Sequence, residues 1–304
     1  LLEQKDAHSK VTRFIGNFDV DYRLHFFPDL KIHATFGYDY AEGKGSEYVS
    51  SEAAEYYTTG GYYYPYGPQK NENRLLTLYA NYNKMVESLN SNFDVTVGYD
   101  YQYWKSTTPE TYSRNAVGDT QTVFKASDER HTLLSYYGRL NYSYGSRYML
   151  TATVRRDATS RFAANQRWGT FPSIALGWRL TEEGFMKNQK VLSNLKLRAS
   201  YGVTGQQDGI GNYNYLPVYT LSQDGAQGIV GGTPIYTYRP EAYVSDLKWE
   251  TTTSWNFGFD FGFLKDRLTG SLDYYTRKTK DLIATVPAAA VLLSIRTSPP
   301  TWEM

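Results

Sequence analysis

The sequence predicts an all-β fold, an antiparallel transmembrane β-barrel, on three observations. Apolar or aromatic residues alternate with polar ones in segment after segment from Val11 to Lys278. Segments with a helical period are almost absent, and the links between the alternating segments are short and long in strict turn. Because successive side chains of a strand point to opposite faces, each strand has one apolar and one polar face, which suits a wall between lipid and water.

The amino-acid composition differs from that of a soluble protein with a large apolar core. Aromatic residues make up 16% of the 304 residues, with 30 Tyr, 14 Phe and 6 Trp, whereas hydrophobic residues total 41%. Mean hydropathy is negative. A membrane barrel needs apolar residues only on its lipid face and places Tyr and Trp at the membrane interfaces. The composition therefore favours contact with outer-membrane lipid.

Net charge, cysteine content and the N-terminal residues limit which partners, metal sites and cellular locations are compatible with the sequence. The formal net charge is +1 and no stripe of Lys and Arg is present, which argues against a nucleic-acid partner. The lack of cysteine excludes disulfides and thiolate metal sites. No apolar run of about 18 residues predicts a transmembrane helix. The opening LLEQKDAHSK has no signal-peptide pattern, so we expect a cytosolic protein or an internal piece of a longer one.

Five hairpins account for about ten predicted strands, and each hairpin has a short link. The apolar positions of the first two run from Phe14 to Phe26 and Ile32 to Tyr40, then from Leu76 to Tyr82 and Phe93 to Tyr103. Those of the other three run from Leu134 to Tyr144 and Tyr148 to Val154, from Ile174 to Leu180 and Leu195 to Val203, and from Trp255 to Phe263 and Leu268 to Tyr274. Turn residues such as Gly145-Ser146 separate the members of each pair, and a helical turn is expected near Glu182.

The connections between hairpins are long, and they predict which end of the sheet faces outward. They run from Ala41 to Asn73, Lys105 to Arg130, Arg156 to Gly169 and Gly205 to Lys248. Bacterial outer-membrane barrels have short periplasmic turns and long extracellular loops. We therefore expect the long loops to be extracellular, and the short links near Pro28, Ser88, Gly145, Asn188 and Lys265 to be periplasmic.

The long loops carry the candidate contact residues. They are rich in Tyr, Gly, Asn and Gln, and Tyr offers a flat apolar ring with a hydroxyl that suits a sugar ring, a peptide or a protein partner. The predicted ligand or partner contacts are Tyr57, Tyr62, Tyr63, Tyr64, Tyr66, Gln206, Gln207 and Asp208. The alternative for the tyrosines is the aromatic girdle at a barrel rim. Trp104, Trp178 and Trp249 are predicted to be girdle residues.

No pattern in the chain predicts catalysis, a cofactor or a metal site. The histidines are His8, His25, His33 and His131, and only His25 and His33 are expected to be close, without a third ligand. Carboxylate pairs such as Glu182 and Glu183 suit a hydrated polar face. The GQQDGIG stretch that begins at Gly205 lacks the Lys-Ser/Thr of a phosphate-binding loop. The sequence therefore predicts that the protein is not an enzyme.

Several long motifs in order give a resemblance to a known family. From Tyr136 the chain reads YYGRLNYSYGSRYMLTATVRRDATSRF, then NQRWGTFPSIALGWRLTEE and LSNLKLRASYGVTGQQ. From Asp246 to Ile283 it reads DLKWETTTSWNFGFDFGFLKDRLTGSLDYYTRKTKDLI. These stretches resemble the barrel of SusC/RagA-type TonB-linked outer-membrane transporters. The resemblance extends, more weakly, over the residues before Tyr136 and ends at about Ala290.

The resemblance implies active import of bulky nutrients such as oligosaccharides or peptides across the outer membrane. It also implies a barrel that is closed by an N-terminal plug, covered by a SusD-like surface lipoprotein and supplied with energy by the TonB complex. Plugged transporters have about 22 strands. The chain is accordingly expected to be a partial barrel, about ten strands of a larger plugged one, without signal peptide or plug.

Two domains follow from this reading: residues 1–290 as a partial TonB-dependent receptor β-barrel, and residues 291–304 as a divergent tail. The tail contains Pro299-Pro300, which cannot lie within a strand ladder. We expect it to arise from truncation or a frameshift in a longer gene. The first and last strands would then be unpaired edges, so the isolated chain is expected not to close.

Two other classes are compatible with the alternating pattern. A soluble or surface β-sandwich that binds glycans would bury the apolar faces in a protein core, whereas a barrel exposes them to lipid. A passive porin or adhesin would share the barrel but would not need TonB.

Overall fold

The computed structural model describes residues 4–188, 191–221, 228–240 and 243–284, and these residues form a β protein. Its strands are β1 (Lys5–Arg23), β2 (Leu30–Val49), β3 (Tyr62–Val86), β4 (Ser91–Thr108), β5 (Thr111–Arg114), β6 (Thr120–Phe124), β7 (Ser127–Tyr144), β8 (Tyr148–Thr159), β9 (Trp168–Arg179), β10 (Leu192–Gln206), β11 (Tyr219–Leu221), β12 (Gly228–Val230), β13 (Thr233–Ile235), β14 (Tyr238–Pro240), β15 (Glu250–Phe263) and β16 (Leu268–Lys280). The ten predicted strands are confirmed as the ten long ones. The predicted tail, residues 291–304, lies outside the described residues.

The long strands follow one another in the order β1-β2-β3-β4-β7-β8-β9-β10-β15-β16. Sequence neighbours are therefore sheet neighbours, as in an up-and-down barrel wall. In the described part of the chain, β1 has β2 as its one neighbour and β16 has β15, so each is an edge strand. No helix among these residues has the length and apolar character needed to cross a bilayer.

The described residues form two compact units. The first comprises the described residues within Leu1–Tyr22, Ile32–Tyr79 and Tyr99–Leu134, and the second comprises those within Arg23–Lys31, Ala80–Gly98 and Ser135–Met304.

Strand register in the second unit shows how the alternation gives the sheet two different faces. One row of paired residues crosses five strands through Leu150, Leu176, Ala199, Phe257 and Tyr274. The next row, one residue along, points to the opposite face and runs through Met149, Gly177, Arg198, Gly258 and Asp273. Here the Arg198 guanidinium donates to Asp260 at 2.9 Å and to Asp273 at 3.1 Å. One face is therefore apolar and the other carries hydrogen-bonded charges.

The first unit has the same two-faced arrangement. The side chains of Phe14, Phe18 and Phe36 are 63%, 68% and 49% exposed on its apolar face. On the polar face, Arg13 donates to Asp39 at 2.8 Å and His33 Nδ1 lies 2.8 Å from Asp21.

The apolar faces are not covered by protein in either unit. Among the described residues, the buried hydrophobic side chains are Val49, Ala53, Phe162, Phe171 and Trp249. Leu176, Phe257 and Tyr274, which lie on the apolar row, are about half exposed or more. A β-sandwich would bury such residues between its sheets. The exposed faces contradict that alternative and match a wall whose apolar side meets lipid.

The long connections are shorter than expected because the strands continue beyond the alternating pattern. Residues 50–61 link β2 to β3, and residues 160–167 link β8 to β9, in place of the predicted loops 41–73 and 156–169. The connection from β4 to β7 contains the hairpin β5–β6. The last connection contains two pairs, β11 with β14 and β12 with β13.

The short links form as predicted. At Gly145-Ser146 both φ angles are positive, at 56° and 55°, and the Arg147 amide donates to the Tyr144 carbonyl at 3.0 Å. This is the turn geometry that matches the twist of a two-stranded hairpin. The expected helical turn near Glu182 is confirmed as two short 3₁₀ helices, Leu180–Glu182 and Gly184–Met186.

An aromatic stack lies beside the link that follows β9. The rings of Tyr144 and Tyr148 are 6.2 Å apart, and those of Tyr148 and Trp178 are 6.4 Å apart. Glu183 accepts hydrogen bonds from the Tyr148 hydroxyl at 2.6 Å and from the Trp178 indole at 3.0 Å. Trp178 therefore has the amphipathic surroundings of a girdle residue, with an apolar ring on the sheet and a polar edge at the link.

Lipid contact predicts different costs for charge on the two faces. Phe257 lies six residues before the end of β15 at Phe263, which is about 15 Å in height for a strand tilted by about 40°, near the middle of the apolar band. In the protein as its gene encodes it, we expect Phe257→Lys to lower the free energy of unfolding from lipid vesicles by about 2–4 kcal/mol. The matched control Asn256→Lys, on the polar face, should change it by less than about 0.5 kcal/mol. Equal costs in a urea titration would contradict the assignment of the faces.

Glu183 predicts a pH-dependent contribution to stability. The hydrogen bonds from Tyr148 and then Trp178, with the Arg147 charge, lower the pKa of Glu183. A lowered pKa in the folded state stabilises the protein above the ordinary Glu pKa, and this stabilisation is lost as the pH falls through the folded value. We expect Glu183→Gln to destabilise at pH 7 and to differ much less from wild type at pH 3, measured by denaturant titration. A constant difference at both pH values would refute this role of the carboxylate.

Candidate ligand-contact site

A row of aromatic rings, here the tyrosine ladder, occupies the start of β3 in the first unit. It consists of Tyr56, Tyr62, Tyr64, Tyr66 and Phe124. Successive ring centroids from Tyr56 to Tyr66 are 5.0, 6.3 and 5.7 Å apart, and Phe124 lies 4.5 Å from Tyr64. Alternate residues of a strand share a face, which is why the rings of Tyr62, Tyr64 and Tyr66 are neighbours, each tilted against the next.

Neighbouring segments hold the tyrosine ladder in place. The Thr111 hydroxyl of β5 donates to the Tyr64 oxygen at 3.3 Å, and the Gln121 amide of β6 donates to the Gly61 carbonyl at 3.1 Å. Tyr66 packs directly against Gly45 of β2, where an added Cβ would overlap its phenol. The hairpin β5–β6 and a glycine in β2 thus fix the ring positions.

The structure divides the predicted tyrosines into two groups. Tyr62, Tyr64 and Tyr66 are half-buried in the ladder, whereas Tyr57 and Tyr63 are 73% and 43% exposed. The prediction that residues 62–66 lie in a loop is wrong, because they belong to β3. The ladder tyrosines therefore pack on one another, whereas Tyr63, on the opposite face of β3, and Tyr57, in the preceding link, are accessible.

A second cluster, here the loop core, lies in the second unit and consists of Phe162, Phe171 and Trp249. The Trp249 ring is 5.5 Å from Phe162 and 5.3 Å from Phe171, both edge-on. Its indole donates to the Arg167 carbonyl at 2.9 Å, and the Arg167 guanidinium donates to the Phe162 carbonyl at 3.1 Å. All three aromatic side chains are buried. The loop core therefore joins the 160–167 link to the start of β15.

Two glycines make room for this core. Phe171 packs directly against Gly169 and Gly205, where an added Cβ would overlap its ring. Glycine within a strand marks such a close approach.

The predicted residues Gln206, Gln207 and Asp208 lie where β10 ends, in the same unit. Asp208, 74% exposed at its side chain, accepts from the Arg161 guanidinium at 3.3 Å, and Asn212 accepts from Arg161 at 3.2 Å. Gln206 is exposed, and the buried Oε1 of Gln207 has no hydrogen-bond partner. Arg161 was not predicted from the sequence, since a single arginine in a short link carries no pattern.

The girdle prediction is wrong for two tryptophans. Trp249 is 7% exposed inside the loop core. Trp104 shares the polar face of β4 with Gln102, and its ring stacks on His131 at 4.4 Å. In both cases an indole that sequence position placed at the membrane rim contacts other side chains.

The histidines do not gather into a metal site in the part of the chain that the structure describes, where no group of three or more His, Asp or Glu has suitable geometry. His33 instead contacts Asp21 at 2.8 Å and Thr35 at 2.7 Å on the polar face.

Comparison with known proteins places this architecture in a family. The family model for "TonB dependent receptor-like, beta-barrel" matches residues 3–297. The chain belongs to the TonB-dependent receptor β-barrel family.

Curated relatives of this family agree with the match. The chain is 43% identical over 297 residues to the TonB-dependent receptor SusC of Bacteroides thetaiotaomicron, covering 94% of this chain. It is 31% identical over 287 residues to the TonB-dependent receptor P3 of Formosa agariphila, covering 90% of this chain. The chain spans 29% and 28% of the lengths of these relatives.

A solved structure has the same fold. The RagAB peptide transporter superposes with a TM-score of 0.81 at 21% identity, over 95% of this chain and 32% of that one. The predicted family and the antiparallel barrel fold are thereby confirmed. The TonB-dependent receptors that the chain matches are not enzymes, which confirms that prediction as well.

The loop core predicts a specific coupling between a glycine and a phenylalanine. In the intact protein, Gly205→Ala should destabilise by about 1–3 kcal/mol, because the buried Phe171 ring cannot move away from an added methyl group. In a Phe171→Leu background the same change should cost less. Urea unfolding of the two single variants and the double variant measures the coupling, and purely additive costs would show that the contact is unimportant.

Proposed function

We propose that the chain forms part of the wall of a TonB-dependent outer-membrane importer for bulky nutrients such as oligosaccharides or peptides. The observation that carries the proposal is the exposed apolar face on ten consecutive antiparallel strands, together with the family match. In lipid, such a face needs no protein cover, and the paired strands satisfy their own backbone groups.

Strand length supports an importer with a large external surface. A tilted strand needs about 9–11 residues to cross the bilayer, whereas β2 and β3 have 20 and 25. Both strands are therefore long enough to project well beyond the membrane at the long-link end. We propose that this end is extracellular and that the short links are periplasmic.

The exposed residues next to the tyrosine ladder and at the end of β10 are the proposed contacts. Tyr57 and Tyr63 offer aromatic surface, and Gln206 and Asp208 offer hydrogen-bonding groups. Tyr62, Tyr64, Tyr66 and Gln207 are half-buried, and we propose that they hold the neighbouring backbone in place. Aromatic rings and amides bind sugars or peptides by stacking and hydrogen bonds, without chemistry.

Two partners complete the proposal. SusC and the RagAB transporter are the named relatives, and RagAB is described as a peptide transporter. By analogy we propose that a SusD-like surface lipoprotein meets the long-link end and that the TonB complex supplies energy from the periplasmic side. The analogy supports either oligosaccharide or peptide as substrate.

Uptake in living cells tests the function and its contact residues together. A strain lacking the gene is complemented with wild type or with Tyr57→Ala/Tyr63→Ala, and uptake of labelled oligosaccharides and peptides is measured with TonB present or deleted. We expect TonB-dependent uptake that falls about 5-fold or more in the double variant. The control Tyr274→Ala, 68% exposed on the apolar face, should transport normally.

Each contrary outcome affects a different part of the proposal. Uptake that persists without TonB would indicate a passive porin. Normal uptake by the tyrosine variant would remove these residues from the contact surface while leaving the transporter assignment intact.

A further inference from the structure

A cavity of about 460 Å³ opens in the first unit, separate from the tyrosine ladder. Strands β1 to β4 line it, chiefly through Ile15, Asn17, Asp39, Leu75, Gln102 and Trp104. The volume falls in the range of small-molecule sites, about 300–1,000 Å³.

Alternation along the strands places these side chains on the polar face. On β4, Gln102 and Trp104 alternate with Tyr101 and Tyr103 of the apolar set, and on β2, Asp39 alternates with Tyr38. Gly37 forms part of the lining, and an added Cβ there would lie 3.2 Å from Leu75 Cβ. The missing side chain contributes to the depression.

Hydrogen bonds hold the carboxylate of the cavity in place, and the net charge around it is close to zero. Asp39 accepts from the Arg13 guanidinium at 2.8 and 2.9 Å and from the Asn73 amide at 3.2 Å. A carboxylate has about four lone-pair sites, so these three bonds leave acceptor capacity for a ligand hydroxyl. The amides of Asn17 and Gln102 add both donors and acceptors. Arg74 also lines the cavity, and its guanidinium donates to Glu72 at 2.8 Å. A charged ligand gains little here, because Arg13 balances Asp39 and Glu72 balances Arg74.

The apolar part of the cavity is an aromatic ring with aliphatic neighbours. Trp104 stacks on His131 at 4.4 Å and 13°, so one face of the indole is covered and its plane is fixed. The other face or edge is left for the cavity that Trp104 lines. Ile15, on the polar face of β1, adds an aliphatic side chain to the lining.

We propose that this cavity is a subsite for one ring of a neutral saccharide. The C–H face of a sugar ring packs on an indole and on aliphatic groups, while its hydroxyls both donate and accept along the ring edge. An apolar peptide side chain would leave Asp39, Asn17 and Gln102 without new partners. The inference rests on the proposed transport function and selects saccharide as the substrate class.

Binding measurements on the intact purified protein in detergent test the subsite. The probes are neutral linear hexasaccharides of glucan, fructan, mannan and xylan, with neutral hexapeptides for comparison, and calorimetry reports the affinities. We expect at least one hexasaccharide to bind, Trp104→Ala to weaken it about 10-fold or more, and Gln102→Ala to weaken it several-fold. Trp104→Phe, which keeps a ring, should retain most of the affinity.

A matched tryptophan serves as the control. Trp255→Ala removes an indole that is 48% exposed on the apolar face of the second unit, and it should leave saccharide affinity unchanged. Heat-modifiable mobility on gels establishes that each variant is folded. Should Trp104→Ala not fold, Gln102→Ala and Ile15→Ala carry the same test, each with an expected several-fold loss.

The subsite is overturned if no hexasaccharide binds, if binding is unaffected by the cavity variants, or if a hexapeptide binds in a Trp104-dependent way. TonB-dependent uptake that is normal in all these variants would leave the transporter proposal standing while removing the cavity from it. Wild-type uptake that persists without TonB would contradict the transporter proposal, and it would leave saccharide binding at the cavity unaffected, so the two failures are distinguishable.

Discussion

The structure depends on one constraint: a strand in hydrocarbon must satisfy every backbone N–H and C=O by pairing, because lipid offers no hydrogen-bonding partner. Consecutive antiparallel strands meet this requirement with short links and leave one face free for lipid. The opposite face is then free to carry groups such as Arg198 between Asp260 and Asp273. Because one face meets lipid and the other carries polar groups, apolar and polar residues alternate every second position in the sequence.

Within the bilayer the sequence was sufficient to predict the strands and their two faces, because lipid on one side and water on the other require different residues at alternate positions. Residue type alone predicts that Phe257 lies on the apolar face and that Asp260 lies on the polar face. Beyond the bilayer both faces meet water, and the pattern disappears. This explains why the start of β3, with its prolines at 65 and 68, looked like a loop although it is a strand.

Side-chain clusters were harder to foresee, because they form between segments that are distant in sequence. Trp249 and Phe162 are 87 positions apart and meet only through the fold. Trp104 is aromatic, as rim residues are. Its place in β4, two residues after Gln102, puts it on the polar face instead. For both residues, residue type predicted membrane contact. The strand alternation decided the outcome for Trp104, and packing between distant segments decided it for Trp249.

Within the described residues β16 pairs with β15 alone, and this pairing constrains any strand that lies on its other side. Its pairing with β15 is fixed from Thr251–Lys280 to Phe263–Leu268, so its side-chain directions are set along thirteen residues. Any strand that adds to the other side must therefore align its own apolar residues with Leu272 and Tyr274, and a slip of one residue would turn charged groups toward lipid. Only half of the possible registers at this edge therefore keep the apolar side chains of the added strand on the lipid face.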